Sequence, residues 1–394
     1  GNNTAMGYNS LAANTTGARN VAVGAYALDA NTTGANNTAL GSYSLSANTT
    51  ASYNVAVGDA ALYVNTTGSK NTAVGKSALT ANTTGVNNTG IGYQALSQCT
   101  TGVNNVAVGY NALESVTTSQ YNVAIGQSAG SEITGGNGQN TIVGREAFRK
   151  ATTAPYNTVM GHEAMYEQTT GEANTAIGRR AMYLSTTAIR NTALGYSSLY
   201  AQTTGYDNVA IGYSALDNLT TANSCVAVGY GANNSTTGVR NVAIGRDSGI
   251  NFATGDNNIA IGYDSGAPAG TTSDSCTLGN GAISNLRCND TSISSLSDKR
   301  DKTNIVDIPL GLSFLNTVRP VAFDWDRRDN TYVGMKDFGF LAQELKVAAD
   351  ATDYADHMRL VNEENPDKLE ADPMKMFPIL VKAIQELSAK NEAL

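Results

Sequence analysis

A serine and a lysine five residues apart are the clearest candidates for catalytic residues in this chain. Ser297 and Lys302 flank a short charged run that contains Lys299 and Arg300. A serine hydroxyl becomes a nucleophile when a base removes its proton, and lysine can be that base when desolvation or a cationic neighbour lowers its pKa. The spacing indicates a Ser/Lys dyad without histidine, provided that a turn closes the five-residue step. The competing interpretation is an ordinary polar linker, in which both residues are simply solvated.

The other reactive residue types form no comparable pattern. The cysteines lie far apart without Cys-x-x-Cys spacing, which is typical of free thiols or packing residues; they are Cys99, Cys225, Cys276 and Cys288. Two histidines, His162 and His357, are too few for a zinc centre, and neither has carboxylates at ligand spacing. We therefore expect no cofactor and no metal. A solvated acidic patch, and not the paired carboxylates of a glycosidase, is predicted at Glu163, Glu167 and Glu172.

Most of the chain repeats one phrase with a fixed period of 17 residues, as in the step from Asn20 to Asn37. The phrase Asn20-Val-Ala-Val-Gly24 returns with Asn at 15 of 17 starts and with Gly four residues later at all of them. The starts are Asn3, Asn20, Asn37, Asn54, Asn71, Asn88, Asn105, Asn122, Asn140, Asn157, Asn174, Asn191, Asn208, Cys225, Asn241, Asn258 and Ser275. The step after Asn122 is one residue longer than the period and the step after Cys225 is one residue shorter, and both irregularities are expected to fall in turns. A fixed period of this kind predicts a solenoid of about 17 stacked coils.

Each coil is predicted to hold two short strands and two turns. In one coil, Thr72–Val74 is the first strand, Ser77–Leu79 is a second strand or extended stretch, and Asn82–Gly85 is a turn whose glycine can take positive φ. The repeated Asn is expected to form a ladder along the stack, each amide bonding its copies above and below. At about 4.8 Å per coil, 17 coils would make a rod on the order of 80 Å long.

The central strand position is usually Ala, and we interpret it as a stripe of small residues on one side of the rod. Closed cyclic symmetry would bury such a stripe on an axis. The phrase Asn208-Val-Ala-Ile-Gly-Tyr-Ser-Ala-Leu216 resembles the head repeats of trimeric autotransporter adhesins. That resemblance covers about Gly1 to Gly279 and implies a left-handed parallel β-roll with three chains side by side. The adhesin repeats are typically a few residues shorter.

Composition divides the chain. It has 394 residues and a net charge of −8, and the 97 residues from Asp298 to Leu394 hold 18 of the 33 acidic and 13 of the 25 basic residues. We predict a roll over 1–288, a linker and cleavage region over 289–297, and a second domain over 298–394 that ends in a helix over 374–394.

There is no basic surplus, and no apolar run reaches the length of about 18 residues that spans a bilayer, so we expect neither nucleic acid binding nor membrane insertion. The chain begins in the middle of a repeat, so we expect the natural polypeptide to extend upstream.

The second domain resembles the intramolecular chaperone of phage endosialidases and other tail fibres, the self-cleaving S74 peptidase type. The matching blocks are Ser297–Ile305, Leu312–Leu315, Arg319–Trp325, Gly339–Leu345 and Ile379–Leu387. The resemblance implies a domain that assists trimerisation of a β-rich fibre and then cuts itself off. It places Ser297 as the nucleophile and Lys302 as the general base. The expected scissile bond is Ser297–Asp298, with Leu296–Ser297 as the alternative.

A heptad pattern at the C-terminus supports a trimer independently. Apolar residues and one asparagine recur in steps of three and four: Phe377, Leu380, Ile384, Leu387, Asn391 and Leu394. This predicts a coiled-coil helix, with Pro378 in its first turn; the alternative is a helix that packs on its own domain. Val321–Trp325 alternates like a strand and Phe340–Val347 has a helical pattern, so the domain is predicted to be small and α+β.

These features favour a homotrimeric phage tail fibre or tail-spike segment. Its expected partners are a host cell-surface receptor, such as a glycan or an outer-membrane component, and other tail proteins. Its expected location is the virion, after assembly in the host cytoplasm. The alternatives are a bacterial trimeric surface adhesin, which the absence of membrane strands at the C-terminus disfavours, and the shaft of a glycan-degrading tail spike whose activity would sit upstream of Gly1. The only enzymatic activity expected is single-turnover self-cleavage.

Overall fold

The chain divides into two compact units, Gly1–Leu278 and Gly279–Leu394. The computed structural model describes residues 1–233, 235–267, 269–283, 297–326, 333–363 and 369–393. Of the predicted linker, residues 289–296 lie outside these ranges. Each unit is described by itself below.

The first unit is a parallel β-solenoid, as predicted. Its 17 strands form one sheet in which each strand pairs with the strand one coil before and one coil after it. The strands are β1 Thr4–Met6, β2 Val21–Val23, β3 Thr38–Leu40, β4 Val55–Val57, β5 Thr72–Val74, β6 Thr89–Ile91, β7 Val106–Val108, β8 Val123–Ile125, β9 Thr141–Val143, β10 Thr158–Met160, β11 Thr175–Ile177, β12 Thr192–Leu194, β13 Val209–Ile211, β14 Val226–Val228, β15 Val242–Ile244, β16 Ile259–Ile261 and β17 Cys276–Leu278.

The pairing register follows the repeat through both irregular steps. Val123 pairs with Thr141 across the long step, and Val226 pairs with Val242 across the short one. In the long step, Gly136 and Gly138 take φ of 87° and 65° in the connecting turn. The prediction that the extra and missing residues fall in turns is therefore confirmed.

Each coil has one strand, so the prediction of a second strand at Ser77–Leu79 is wrong. Ser77 and Leu79 lie in a turn with left-handed φ of 58° and 51°. The predicted positive φ at Gly85 is also wrong, since Gly85 is not among the glycines with positive φ. Glycine is needed there because a Cβ would overlap the Asn82 side chain and the Gly102 carbonyl. The glycine that needs positive φ follows the strand: Gly58 has φ of +135°, and a Cβ there would come within 2.5 Å of the Gly75 carbonyl oxygen.

The core of the solenoid contradicts the predicted stripe of small residues on the rod surface. The central strand residue points into the coil, and Ala22, Ala73 and Ala124 are 0% exposed. They pack with leucines of the following turn, such as Leu28 and Leu79, in one continuous core. The first and third strand residues face outward. The side chains alternate along the strand as expected, but the central Ala faces the core and not the rod surface. The sequence does not distinguish the two faces, because both are apolar.

The predicted asparagine ladder is present, and from Asn88 to Asn208 its side-chain amides bond one another directly, as between Asn105 and Asn88 at 3.2 Å. Its amides also bond backbone groups. The Asn71 side-chain oxygen accepts from the Asn88 backbone N–H at 2.9 Å, and the Asn71 amide donates to the Gly85 carbonyl at 2.8 Å. A second ladder of direct amide-to-amide bonds runs beside it, as between Asn65 and Asn48 at 3.0 Å. Both ladders are buried and satisfy backbone groups that the turns leave unpaired.

The second unit is small and mixes helices with two-residue to four-residue strands. Its elements are α1 Leu312–Leu315, β18 Val321–Asp324, β19 Lys336–Gly339, α2 Ala342–Asp350, α3 Ala355–Met358, β20 Val361–Asn362, β21 Glu370–Ala371 and α4 Phe377–Glu392. β18 pairs with β19 and β20 with β21, both antiparallel. The core comprises Phe314, Leu345, Ala349, Met358, Leu360, Met376 and Ile379. The strand predicted at Val321–Trp325 is confirmed, and the helix predicted at Phe340–Val347 begins two residues later and ends at Asp350.

The C-terminal helix α4 has Pro378 in its first turn, as predicted. It contacts α1, whose first N–H, on Leu312, donates to the Glu386 carboxylate at 2.9 Å. The buried face of α4 carries Ile379 and Ala383. Leu394, the last residue of the predicted heptad seam, lies outside the described residues.

Candidate active site

A single tight turn brings the predicted dyad together. Lys299–Asp301 forms a turn of 3-10 helix, and the Asp298 carboxylate caps it by accepting from the Arg300 backbone N–H at 2.9 Å. The Lys302 N–H donates to the Lys299 carbonyl at 3.2 Å and ends the turn. The chain thereby reverses over the five residues that separate the two side chains, as the sequence required.

The resulting contact joins the Lys302 Nζ and the Ser297 Oγ at 2.6 Å. This is the distance at which a base can take a proton from a hydroxyl. Both residues are exposed in the single chain. A lysine side chain must shed its proton before it can act as a base, and water stabilises the charged ammonium form. The geometry is therefore suited to a Ser/Lys dyad, while the environment of one chain alone provides little desolvation.

The cationic crowding predicted around Lys302 is offset by an ion pair. The Arg300 guanidinium contacts the Asp298 carboxylate at 2.6 Å. Its side-chain hydrogen bond, together with the capping N–H of Arg300, lowers the pKa of Asp298 below its usual range. Arg300 is thus engaged with the residue that follows Ser297 and is not free to act on Lys302.

A groove runs from Lys302 along the extended segment 303–310. Its far wall includes Tyr354, His357, Met358 and Ile379. The rings of Tyr354 and His357 lie 5.6 Å apart. Sequence reasoning did not connect these residues to Lys302, because they are 52 to 77 positions away in the chain. Only the folding of α3 and α4 against the segment brings them to the site.

The solenoid contains the one group of potential metal ligands found among the described residues. The ligand atoms of Glu146, His162 and Glu163 all lie within 4.8 Å of one another. The sequence interpretation that His162 lacks carboxylate neighbours is therefore wrong, because stacking places Glu146 of the preceding coil beside it. Both carboxylates already face guanidinium groups, Glu163 with Arg180 at 2.6 Å and Glu146 with Arg149 at 3.5 Å. The hydrogen bond from Arg180 lowers the pKa of Glu163.

The predicted acidic patch is largely an ion-pair network. Glu167, like Glu163, forms an ion pair: its carboxylate lies 2.8 Å from the Lys150 Nζ. Glu172 is exposed, and its backbone carbonyl accepts from the Arg190 N–H at 3.0 Å. The basic partners come from neighbouring coils at a separation of 17 residues. This separation is invisible to a search for local charge pairs.

The cysteines that the structure describes are free thiols, as predicted. Cys99 and Cys225 are buried and Cys276 is exposed. Burial raises the pKa of Cys99 to about 11, so its sulfur stays protonated at neutral pH. Cys288 lies outside the described residues.

The dyad coincides with the start of a recognisable family segment. Residues 297–355 match the model of the Peptidase S74 family, described as chaperone of endosialidase. The C-terminal unit carries an endosialidase-chaperone domain. The match begins at Ser297 and includes α1, β18, β19 and α2, whereas the predicted block Ile379–Leu387 lies beyond it.

The remaining comparisons are negative. Neither the curated proteins nor the solved structures include a match to this chain. Among the described residues, no helix combines the length and the apolar composition that crossing a bilayer would require. A function for this chain is therefore argued from two observations, the family match of the C-terminal segment and the geometry of the solenoid.

Proposed function

We propose that this chain is a segment of a homotrimeric phage tail fibre or tail spike, and that its chaperone domain assembles the trimer and then releases itself. The observation that carries the proposal is an outward column of aliphatic residues along the whole solenoid. The third strand residue is Val, Ile, Leu or Met in every one of the 17 coils. Tail fibres are the setting in which a chaperone of this family is expected.

The aliphatic column is a large apolar surface. Ile125 is 42% exposed, and Leu40, Met160, Leu194 and Ile244 are exposed to a similar degree. The first strand residue beside the column is Val, Ile or Cys in nine coils and Thr in eight, so the neighbouring column is a mixture of apolar and polar residues. A continuous stripe of this length greatly exceeds what soluble monomers usually expose. Three copies around one axis would bury it with closed symmetry.

The C-terminal helix supports the same assembly. Ile379 and Ala383 are buried in the chaperone unit, while Leu380, Ile384 and Leu387 are exposed on another face of α4. Ile384 is 66% exposed although it lies in the middle of the predicted heptad seam. The helix thus packs on its own unit and also offers a seam for partner helices.

A trimer of this kind needs help to find its register. Three chains with nearly identical coils can pair in many arrangements shifted by one repeat, and each buries almost as much surface as the correct one. Parallel pairing between distant segments is also slow. A C-terminal unit that trimerises first would set chain number and register, and the coils could then pair from that end.

Self-cleavage would follow assembly. In this proposal, packing of partner chains around the dyad removes water from Lys302, which favours its neutral form and its action on Ser297. Hydrolysis of the Ser297–Asp298 bond consumes one water and leaves a carboxylate on Ser297 and an amine on Asp298. Attack of Ser297 on its own carbonyl would close a four-membered ring, so the nucleophile at this bond is a water that the dyad activates or the serine of a partner chain. Attack on the preceding carbonyl closes a five-membered ring, which opens to an ester between the Leu296 carbonyl and the Ser297 hydroxyl as the Ser297 amine leaves. Hydrolysis of that ester by one water then separates Leu296 from Ser297.

The assembled fibre would attach to a host cell. We propose a receptor on the cell surface, either a glycan or an outer-membrane component, and contacts with other tail proteins in the virion. Assembly would take place in the host cytoplasm. Loss of the chaperone would then make the trimer hard to reverse, because the nucleus for refolding is gone.

A denaturing gel of the full chain tests the cleavage. We expect the wild type to release a fragment of 97 residues, from Asp298 to Leu394. Ser297→Ala and Lys302→Ala should each give only the uncut chain, since each variant removes one member of the dyad. Lys299→Ala, which removes a neighbouring lysine from the same turn, should be cut like the wild type.

The mass of the fragment identifies the bond. A fragment that begins with Asp298 supports the favoured site, and one that begins with Ser297, with 98 residues, supports the alternative. Equal band patterns in the wild type and in both dyad variants would exclude the protease.

A further inference from the structure

A column of tyrosine and arginine side chains lines one corner of the solenoid. It occupies the residue directly after the strand-closing glycine in six successive coils: Arg179, Tyr196, Tyr213, Tyr230, Arg246 and Tyr263. None of the six positions is acidic, although the chain as a whole has a net charge of −8. The overall composition of the chain does not explain why tyrosine and arginine occupy this position in all six coils.

The members of the column are stacked on one another. The rings of Tyr196 and Tyr213 lie 4.9 Å apart at 6°, and those of Tyr213 and Tyr230 lie 5.0 Å apart at 8°. Arg179 covers the free face of Tyr196 at 5.6 Å. Arg246 lies 5.4 Å from the Tyr230 ring and 5.8 Å from the Tyr263 ring. Both ring faces of Tyr196, Tyr213 and Tyr230 are therefore occupied within the column, and a ligand there meets ring edges, hydroxyl groups and guanidinium groups.

The column is open to solvent and borders few free carboxylates. Exposure of its tyrosines rises from 36% at Tyr196 to 59% at Tyr263. Arg179 forms no ion pair with any residue that the structure describes. The next residue in each of the first four coils is Arg180, Ser197, Ser214 or Gly231.

Four carboxylates lie close to the column. Asp264 directly follows Tyr263 in the chain, and Glu163 is near enough to Arg179 for their charges to interact. Asp247 is paired with Arg246 at 3.1 Å. Asp217 is half-buried and hydrogen-bonded to Ser214. From Arg179 to Tyr230, the column itself presents one guanidinium group and three phenol hydroxyl groups, all of which can donate hydrogen bonds.

These properties select the chemistry of a ligand. Ring edges are the positive part of an aromatic quadrupole, and phenol and guanidinium groups donate hydrogen bonds to acids and hydroxyls. The groups repeat at the spacing of stacked strands, about 4.8 Å, in a straight row. A linear polymer with acidic groups and many hydroxyls matches such a row. Single-stranded nucleic acid does not, because its binding relies on aromatic faces that remain free to stack with bases.

We propose that this column is a binding site for a linear acidic polysaccharide. The inference rests on the proposed function, since it names the class of glycan that the fibre would bind on a host surface. Three copies of the column in a trimer would act together and raise the apparent affinity without further contacts.

Binding of the full-length protein to defined polymers tests the proposal. The probes are hyaluronan and chondroitin sulfate as acidic polysaccharides, dextran as a neutral one, and poly(dT) as an anionic polymer with bases. We expect binding to one or both acidic polysaccharides and none to dextran. Arg179→Gln should weaken that binding roughly five- to tenfold through loss of a charge-assisted contact, and Tyr213→Phe about threefold through loss of one hydroxyl while stacking is kept.

The matched control is Arg19→Gln, which removes an exposed arginine from a different corner of the coil. It should bind like the wild type. The proposal is overturned if the wild type binds neither acidic polysaccharide, if poly(dT) binds as well as they do, or if Arg19→Gln weakens binding as much as Arg179→Gln. Trimer formation and cleavage, measured on the same samples, report separately on the proposed function and can hold while this inference fails.

Discussion

At the level of single residues, the repeated asparagine supports the solenoid by bonding in three directions. Asn71 accepts through its side chain from Asn88 N–H, donates to Gly85 carbonyl, and its own N–H donates to Asn54 at 2.9 Å. The second ladder, which contains Asn48 and Asn65, ends where Cys99 replaces asparagine. The Asn82 side-chain oxygen is left without a hydrogen-bond partner there. This interruption therefore leaves a buried polar group without a hydrogen bond, which costs stability.

Cys225 is such an interruption in the main ladder, and we predict that Cys225→Asn stabilises the protein. Burial raises the pKa of the Cys225 thiol, which donates to the Gly238 carbonyl at 3.3 Å, and the Asn241 N–H points at its sulfur. Asparagine would donate to the same carbonyl and offer oxygen in place of sulfur to Asn241. We expect a gain of about 1 kcal/mol, measured by thermal or denaturant unfolding.

Two variants control this prediction. Cys225→Ala has neither donor nor acceptor and should lower stability. Asn71→Ala removes an intact rung and should cost about 2–4 kcal/mol, because it leaves buried backbone groups unpaired. A Cys225→Asn protein that melts below the wild type would contradict the proposed role of the ladder.

At the level of the strand, neighbouring residues have opposite tasks. Ala124 is fully buried and belongs to the continuous core of the solenoid, whereas Ile125 lies on the outward aliphatic column. The inward residue decides whether a coil closes, and the outward residue is proposed to decide whether three chains associate.

We predict that Ala124→Leu and Ile125→Lys fail in different ways. Ala124→Leu should destabilise the fold by about 1–3 kcal/mol through overpacking. Ile125→Lys should leave the coil folded but place three like charges on the proposed axis, which disfavours the trimer. Sedimentation analysis with circular dichroism separates the two effects.

Tyr121→Lys is the control for Ile125→Lys, since Tyr121 is 52% exposed and does not belong to the aliphatic column. It should remain trimeric. If Ile125→Lys is as fully trimeric as Tyr121→Lys, the axis does not run along the strands.

At the level of the whole molecule, the solenoid is a stack in which each coil contacts its neighbours through the same register. Stability in such a stack is close to a sum over coils and their interfaces. Whole coils are therefore exchangeable, while a fraction of a coil is not.

We predict that deletion of Asn54–Lys70, which is one complete coil, is tolerated. The chain would continue from Tyr53 to Asn71 in phase, and the melting temperature should fall by only a few degrees. Deletion of Asn54–Leu62 removes about half a coil, including β4, and should destabilise the fold far more, because β3 and β5 would be left about one and a half coils apart and could not pair in register. Similar melting of both deletion variants would show that the period does not control the fold.

The sequence by itself determined the period, the position of every strand in the solenoid and the register between coils, because a residue repeated at a fixed interval can stack only on its own copies. It also located Ser297 and Lys302, since a five-residue step limits how far apart the two side chains can be. It could not determine which strand face is inside, because Ala on one face and Val or Ile on the other are both apolar. Nor could it identify the turn at Ser77–Leu79, where non-glycine residues take left-handed φ that only the stacked neighbours enforce.

Only the tertiary structure decided the contacts between residues far apart in the chain. Stacking brought Arg180 to Glu163 and aligned Tyr196 with Tyr213, and packing of the second unit placed His357 along the groove that starts at Lys302. None of these contacts has a local signal, because each depends on how whole elements lie against one another. The physical reason is that backbone periodicity is encoded residue by residue, whereas a surface is formed by side chains that the fold assembles from separate turns.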